Sequence, residues 1–152
     1  MKYNRRKFIK LFGLSILSFS IPINYLFASA KKIINSKLSD QQKNIMFNEG
    51  TERPFSSKLL NEKRKGFYHC ANCGNKLFAS NSKFDSGTGW PSFSEALPGA
   101  FKTKTDYSFG MERVEYHCSK CGAHHGHVFN DGPRESGKRF CSNGLCLIFK
   151  PE

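Results

Sequence analysis

The pattern of hydrophobic and polar positions changes twice along the chain. Residues 11–30 contain no charged side chain. The segment that follows has the signals of a short helix: Ser39 can act as its N-cap, and Gln42, three residues later, completes a capping box. Such a helix would present residues 45–47 to the core and end near Gly50. We therefore predict a helix early in the chain.

The second half of the chain has a different pattern, made of short apolar runs separated by Gly, Asn, Asp and Pro. Residues 111–118 alternate as a strand does, with Val114, Tyr116 and Cys118 on one face and charged or polar residues on the other. Residues 145–149 form a continuous apolar run, which is typical of a buried strand. Closely spaced short strands predict a mainly β fold, an antiparallel sandwich or open barrel preceded by one or two short helices.

Residues 1–30 have the organisation of an export signal. Arg5 and Arg6 lie in a basic segment, residues 11–30 follow as the apolar region, and residues 28–30 read Ala-Ser-Ala, a small-residue pattern suited to signal peptidase. The paired arginines indicate a twin-arginine route and a periplasmic or cell-envelope location. The alternative is an uncleaved membrane anchor, but polar residues interrupt a stretch that needs about 20 apolar positions to span a bilayer.

The domain organisation that follows is simple. We interpret residues 1–30 as the export signal, residues 31–37 as a linker and residues 38–152 as one domain. Removal of the signal takes away five basic residues and no acid, and so lowers the net charge from +12 to +7. The remaining basic residues are scattered rather than gathered in one stripe, which argues against nucleic-acid binding. A domain of this size gains considerably from a metal or a crosslink.

One heptapeptide pattern occurs twice, as Tyr-His-Cys-Ala-Asn-Cys-Gly at residues 68–74 and Tyr-His-Cys-Ser-Lys-Cys-Gly at residues 116–122. Two Cys-x-x-Cys knuckles supply the four thiolates of a closed structural zinc site. The ligands would be Cys70, Cys73, Cys118 and Cys121, and we expect the metal to join two distant parts of one sheet. The alternative, open to an exported protein, is a pair of disulfides.

Two cysteines remain, Cys141 and Cys146. Arg139 lies two residues before Cys141, on the same face of a strand, where its positive charge favours the thiolate and should lower the thiol pKa. Upstream, residues 124, 125 and 127 are histidines, which exchange protons near neutral pH. A thiol, a cation and an imidazole together indicate an activated nucleophile with an acid partner, although each alone has an ordinary structural explanation.

The segments around these residues resemble the B-type peptide-methionine (R)-S-oxide reductases. The resemblance covers about residues 38–150 and is carried by several motifs in order: residues 51–55 (Thr-Glu-Arg-Pro-Phe), 84–93, 126–133 and 139–143, together with both knuckles.

The resemblance implies two antiparallel sheets, one structural zinc and Cys141 as the nucleophile that attacks the sulfur of methionine-R-sulfoxide. It implies that His127, helped by His124, protonates the departing oxygen and that Cys141 becomes a sulfenic acid. Trp90 would form an aromatic wall of the substrate site. The other site residues implied are Phe129 on the substrate side, Arg139 and Asn143 around the thiolate, and Asp131 orienting the histidine loop.

The chain departs from the family pattern at two positions. Thr88 stands where many members have a resolving cysteine, and His125 stands where leucine is common. The sulfenic acid on Cys141 must then be resolved by Cys146, if the Asn143-Gly144 turn bends the chain, or by an external thioredoxin-like thiol. We favour the external thiol, because an odd offset along a strand separates the two sulfurs.

Two other classes of function fit parts of the pattern. A zinc-ribbon module that binds nucleic acid through its positive charge requires a basic stripe and leaves the export signal unexplained. A disulfide-stapled secreted interaction domain requires neither zinc nor a reactive thiol.

Overall fold

The structure is a computed structural model that describes residues 31–152. The predicted export signal lies outside these residues. Within them no helix combines the length and apolar character needed to cross a membrane. In chain order the elements are helix α1 (Asp40–Asn48) and strands β1 (Gly66–Cys70), β2 (Lys76–Ala79), β3 (Lys83–Phe84), β4 (Ser92–Phe93), β5 (Phe101–Asp106), β6 (Arg113–Cys118), β7 (His124–Phe129), β8 (Arg139–Ser142) and β9 (Leu147–Pro151). Short 3₁₀ turns occupy Lys58–Asn61, Ser80–Ser82, Ser108–Gly110 and Gly144–Cys146.

The strands form two antiparallel sheets, as the resemblance implied. The described residues give a three-stranded sheet in the order β2-β1-β9 and a six-stranded sheet in the order β3-β4-β8-β7-β6-β5. The prediction of a mainly β fold with an early helix is therefore confirmed.

Aromatic side chains from both sheets fill the core. Phe78 of the small sheet stacks on Phe93 of the large sheet with ring centroids 4.0 Å apart. Tyr68 contacts the same Phe93 ring edge-on at 4.8 Å, and Phe101 contacts Tyr116 at 4.7 Å. Large rings bury much apolar surface at few positions, which suits a domain built from short strands.

Helix α1 begins where the capping box predicts. The Ser39 hydroxyl accepts a hydrogen bond from the Gln42 amide at 3.2 Å, and the Gln42 side chain accepts one from the Ser39 amide at 3.0 Å. Ile45 and Met46 are buried as expected, whereas Phe47 is half-buried. The Gln42 amide group also donates to the Leu145 carbonyl at 2.9 Å, which ties the helix to the segment after β8.

The prediction of a simple alternation along residues 111–118 was wrong in part. The strand begins at Arg113; Val114 is 42% exposed, and Glu115, assigned to the solvent face, is buried. Glu115 is held inside by His124 and Lys104, which bind its two carboxylate oxygens at 2.8 and 2.9 Å. Because these partners come from neighbouring strands, the local pattern carried no sign of them.

The apolar run at residues 145–149 is not a single buried strand either. A 3₁₀ turn over Gly144–Cys146 precedes β9, in which Ile148 is 44% exposed. The turn forms because the buried Glu52 carboxylate accepts hydrogen bonds from the amides of Gly144 at 2.6 Å and Leu145 at 2.9 Å.

Candidate active site

Four cysteine sulfurs gather at one point of the molecule. The Sγ atoms of Cys70, Cys73, Cys118 and Cys121 all lie within 4.8 Å of one another. The Cys70–Cys121 and Cys73–Cys118 pairs are separated by 3.8 and 3.5 Å. A tetrahedral zinc with sulfur ligands at about 2.3 Å has sulfur–sulfur edges of about 3.8 Å, whereas a disulfide is about 2.05 Å long. The geometry of the four sulfurs therefore fits a metal and does not form two disulfides.

The cluster connects the two sheets. The first knuckle follows β1 of the small sheet and the second follows β6 of the large sheet. The expectation that the metal joins two parts of one sheet was therefore wrong. Each knuckle is closed by the same turn, in which Gly74 donates to the Cys70 carbonyl at 2.8 Å and Gly122 to the Cys118 carbonyl at 2.9 Å. Both glycines have φ near +70°, a left-handed conformation that glycine adopts without strain.

Strand register places Cys141 beside a histidine. In the β7–β8 pairing Cys141 lies directly opposite His127, and in the β4–β8 pairing it lies opposite Ser92. Directly opposed residues present their side chains on the same face, with Cβ atoms about 4.5–5.5 Å apart. Gly126 permits this close approach, because a Cβ there would collide with the Cys141 carbonyl oxygen. The nucleophile and the acid predicted from sequence are therefore brought together by the sheet itself.

A pocket opens over this pair, with a cavity volume of about 140 Å³. It contains Cys141 and His127 and both predicted substrate-binding aromatics, Trp90 and Phe129, as well as Asn143. The remaining lining residues are Thr51, Arg113, Gly126 and Ser142. The other predicted site residues, His124, Arg139 and Asp131, do not line the pocket but lie behind the residues that do.

The positive charge of Arg139 alone does not decide the pKa of the Cys141 thiol. Burial raises the pKa of Cys141, and the Arg139 guanidinium and the Thr88 hydroxyl lower it only in part. The net shift is upward, opposite to the lowering expected from Arg139 alone. The reason is that β8 lies inside the sheet, where loss of water disfavours the charged thiolate.

Arg139 is held by Asp131 through two parallel hydrogen bonds. Its Nε donates to Oδ1 and its Nη2 donates to Oδ2, both at 2.8 Å. The guanidinium carbon also lies 4.4 Å from the centre of the Phe129 ring. Asp131 therefore positions the arginine beside Cys141. Its bonds to Arg139 do not test the expectation that it orients the histidine loop, which stays a prediction.

His127 takes its orientation from a residue that sequence reasoning missed. Its Nε2 lies 2.8 Å from Oδ2 of Asp106, at the end of β5. Arg113 donates to the same carboxylate oxygen at 2.7 Å. Hydrogen bonds from Ser108 and His127, together with the positive charge of Arg113, hold the pKa of Asp106 well below its usual value. Burial lowers the pKa of His127 and Asp106 opposes that shift. Nothing in the local sequence distinguishes Asp106 from a surface acid.

His124 lies behind His127 and is buried. Its Nδ1 is 2.8 Å from Oε1 of Glu115, and the two histidine ring centroids are 5.6 Å apart. Burial alone would raise the pKa of Glu115, but the hydrogen bonds from His124 and Lys104 outweigh burial and lower it. Glu115 is the second functional residue that sequence reasoning missed, because the alternation assigned it to solvent.

Glu52 organises the opposite wall of the pocket. Its carbonyl accepts from the Trp90 indole at 3.0 Å, and its amide donates to the Asn143 side-chain oxygen at 2.9 Å. The Asn143 amide group in turn donates to the His125 carbonyl at 3.1 Å. Asn143 therefore lines the pocket, while its side-chain oxygen and nitrogen bind the backbone of Glu52 and His125. Burial raises the pKa of Glu52, and the amides of Gly144 and Leu145 counter this shift. Glu52 belongs to the motif at residues 51–55, but the sequence did not indicate its role.

The two departures from the family pattern occupy different environments. Thr88 lies close enough to Cys141 to affect its pKa, and its hydroxyl is 2.9 Å from that of Ser86. His125 is fully buried, with the Phe101 and Tyr116 rings at 5.5 and 6.5 Å. Neither ring nitrogen of His125 has a hydrogen-bond partner among the described residues, and burial lowers its pKa to about 3.

Cys146 faces the core. Its side chain is fully buried, and burial raises its pKa well above the usual range. Its carbonyl accepts from the Ala71 amide at 2.9 Å, inside the first knuckle. The chain does bend after Asn143, as a bridge to Cys141 requires, but the Cys146 thiol is not presented to the pocket surface.

A half-buried cysteine directly opposite a histidine at a pocket, in a fold that also contains a separate four-cysteine cluster, is the arrangement of a thiol-dependent enzyme. Residues 38–151 match the SelR domain family. The chain is 50% identical over 116 residues to a peptide methionine sulfoxide reductase MsrB of Methanosarcina barkeri, covering 76% of this chain and 82% of that protein. The corresponding MsrB of Photorhabdus laumondii is 50% identical over 117 residues, covering 76% of this chain and 86% of that protein.

A third relative, the MsrB of Methanosarcina mazei, is 48% identical over 118 residues, covering 77% of this chain and 84% of that protein. The chain belongs to the SelR-domain family and is a peptide methionine sulfoxide reductase of the B type. This membership favours the reductase interpretation over the zinc-ribbon and disulfide-stapled alternatives. The crystal structure of a Mis18 Yippee-like domain overlaps 59% of this chain and 98% of that chain at 16% identity, with a TM-score of 0.49.

Proposed function

We propose that this protein reduces the R epimer of methionine sulfoxide in peptides and proteins through a sulfenic acid on Cys141, and so repairs oxidised proteins. One observation carries the proposal: Cys141 and His127 lie directly opposite each other at a pocket that also contains Trp90.

The reaction moves one oxygen atom between two sulfurs. The Cys141 thiolate attacks the sulfoxide sulfur and forms a sulfur–sulfur bond, while His127 gives a proton to the sulfoxide oxygen. That oxygen then moves as hydroxide to the cysteine sulfur, and the sulfur–sulfur bond breaks to release methionine. Overall the substrate S–O bond breaks and an S–O bond forms on Cys141. The substrate sulfur gains the two electrons that the cysteine sulfur loses. The products are methionine and Cys141 sulfenic acid, and the thiol proton ends on the new hydroxyl.

The surrounding residues suit these steps. Trp90 and Phe129 offer apolar surface for the methyl group and side chain of the substrate. Arg139, fixed by Asp131, partly offsets the cost of forming a thiolate in a half-buried position. Asp106 can hold His127 in one orientation throughout the reaction.

An external thiol then returns Cys141 to its reduced form. Thr88 has no thiol, the cluster cysteines face one another, and Cys146 is buried in the core. Two thiols of a thioredoxin-like or other donor would reduce the sulfenic acid, releasing water and leaving the donor as a disulfide.

The four-cysteine cluster would hold one zinc ion with a structural role. When bound, the ion supplies charge compensation for four thiolates and connects the two sheets. The proposed location is the periplasm or cell envelope, reached by the twin-arginine signal at residues 5 and 6. Replacement of both arginines by lysine should leave a tagged protein in the cytoplasm; unchanged export would reject that route.

The decisive experiment separates the epimers. The enzyme should reduce peptide-bound methionine-R-sulfoxide and leave the S epimer untouched, as measured by chiral chromatography. Cys141→Ser should abolish a single turnover while keeping the parent's thermal unfolding, and Cys146→Ser serves as the matched control. A dimedone adduct on Cys141, found by mass spectrometry after one substrate equivalent, would identify the sulfenic acid. Reduction of the S epimer, or activity in Cys141→Ser, would reject the proposal.

A further inference from the structure

Two openings adjoin the active-site pocket, and they differ in chemistry. One lies behind His127 and is lined by carboxylates that are already paired: Asp106 with Arg113, and Glu115 with His124. The other is a groove of about 300 Å³ that shares Trp90 with the pocket; its wall carries Phe55, Leu60, Phe84 and Pro91 together with the polar residues Asn61, Lys83 and Asp85. A peptide leaving the pocket would meet ion-paired side chains in the first opening, whereas in the second it could bury apolar surface against the aromatic rings.

Phe55 is the most prominent feature of this groove. Its side chain is 71% exposed, and its backbone has a φ of +63°, a left-handed conformation that is rare for a bulky residue. The Phe55 amide donates to the Gly89 carbonyl at 2.7 Å, so this conformation is held against the turn that precedes Trp90. Gly89 leaves room for the ring, because a Cβ there would come within 2.9 Å of two Phe55 ring atoms. An exposed aromatic ring held in an unfavourable conformation points to a ligand.

The edge of the large sheet borders the same groove. Strand β3 is the outermost strand of that sheet, and both of its residues, Lys83 and Phe84, line the groove. An extended peptide is the ligand that a sheet edge accepts most readily, because its main chain can pair with the edge strand. The Lys83 ammonium is directed to the Leu60 carbonyl at 2.8 Å, which leaves the aromatic surface as the main contact.

We propose that this groove binds the polypeptide flanking the oxidised methionine, in extended form, with one bulky apolar side chain of the substrate packed on Phe55. The occupant is the substrate itself, because the groove and the active-site pocket share Trp90. The sulfoxide side chain enters the pocket, and the main chain attached to it leaves across the groove. This inference rests on the proposed function. The preferred substrates would be methionine sulfoxides that have an apolar residue beside them in sequence, as in segments exposed by unfolding.

Trp90 provides a direct test, since it is the only tryptophan of the chain. Cys141→Ser protein is titrated with a methionine-R-sulfoxide peptide carrying a neighbouring leucine, and with the same peptide carrying serine instead. The leucine peptide should give a saturable change in tryptophan fluorescence and bind about tenfold more tightly, the effect of burying one large apolar side chain. Equal affinity for the two peptides would overturn the proposal.

Three further substitutions, each combined with Cys141→Ser, test whether the preference for the leucine peptide comes from Phe55. Phe55→Ala removes the ring, and Phe55→Asn removes it with a residue that tolerates the left-handed conformation. Both should abolish the preference for leucine. Ile148→Ala, which removes an exposed apolar residue from β9, should retain it. A preference that survives in both Phe55 variants would overturn the proposal. Because binding is measured without turnover, a failure here is distinct from a parent enzyme that reduces no sulfoxide.

Discussion

The sulfur cluster and the Cys141 pocket use the same residue type in contrasting ways. In the cluster, four sulfurs within 4.8 Å of one another can be charged together only if a cation neutralises them. In the pocket, one half-buried thiol has a cation and a hydroxyl nearby and an imidazole across the strand pair. The cluster should therefore depend on its metal for stability, whereas the pocket should tolerate loss of its sulfur and lose only chemistry.

The two regions also differ in how they are assembled. Each knuckle is a turn within a few residues, and both copies have the same hydrogen bond from glycine to the first cysteine. The pocket draws residues from β6, β7 and β8 and from the loops that contain Thr51 and Trp90. Loss of one cluster ligand should therefore affect the whole metal site, whereas the contributions of single side chains in the pocket can be measured separately.

The largest effect should follow from breaking the cluster. Cys118→Ser should lose the zinc and cooperative unfolding, because structural zinc in small domains contributes about 10–16 kcal/mol. The measurements are metal content and calorimetry, and purified parent protein should contain one zinc per chain. Cys141→Ser is the control and should retain both properties. A Cys118→Ser protein that melts like the parent would show that the cluster is not structural.

The next largest effect should come from the acid in the pocket. His127→Asn should slow the first step by about 10²–10⁴-fold, the usual range for a positioned general acid. The measurement is single-turnover methionine formation. A near-normal rate would transfer the role to His124, the imidazole next to His127.

The pH profile of Asp106→Asn tests how His127 is held. Asp106 raises the pKa of His127, so its removal should lower that pKa. The rate falls at high pH because His127 loses the proton that it must donate. With a lower His127 pKa this loss occurs earlier, so the high-pH limb of the rate profile should move to lower pH. A uniformly lower rate with an unmoved limb would indicate loss of structure only.

A smaller effect concerns His125, which lies on the same strand as His127 but faces the core. Its pKa is lowered from 6.5 to about 3 by burial. Between these values the unfolded chain binds a proton that the folded chain does not, so stability falls as pH decreases through this window. At pH 5 this group alone should cost about 2 kcal/mol relative to pH 7.5.

His125→Leu should remove that dependence. The free energy of unfolding in urea is compared for parent and variant at both pH values, and the advantage of the variant should widen by about 2 kcal/mol at pH 5. Protonation of the zinc ligands affects both proteins alike and cancels in the difference. A constant difference between the proteins would contradict the assignment.

The smallest effect should be on turnover in Cys146→Ser. If an external thiol resolves the sulfenic acid, multiple turnover with a thioredoxin-type donor should equal that of the parent, because Cys146 is buried in the core. Mass spectrometry after one oxidant equivalent should find an oxidised Cys141 and no intramolecular bridge in the parent. A Cys141–Cys146 disulfide, with turnover lost in the variant, would overturn the external route.

The sequence by itself determined the parts of this protein that depend on near neighbours. The capping box predicted the start of α1 because Ser39 and Gln42 are one turn apart. The repeated Cys-x-x-Cys-Gly pattern predicted both knuckles because each turn closes within five residues. The motif around Cys141 is also local, and it is the basis on which that residue is proposed as the nucleophile.

The tertiary structure alone decided which distant groups meet. Asp106 reaches His127 across 21 positions of the chain, and Glu52 reaches Gly144 across 92. Glu115 faces inward because β7 brings His124 to it beside a register shift at Tyr116, which no alternation pattern encodes. Burial of Cys141 reversed the pKa shift expected from Arg139, since desolvation depends on everything packed around the sulfur and not on its neighbours in sequence.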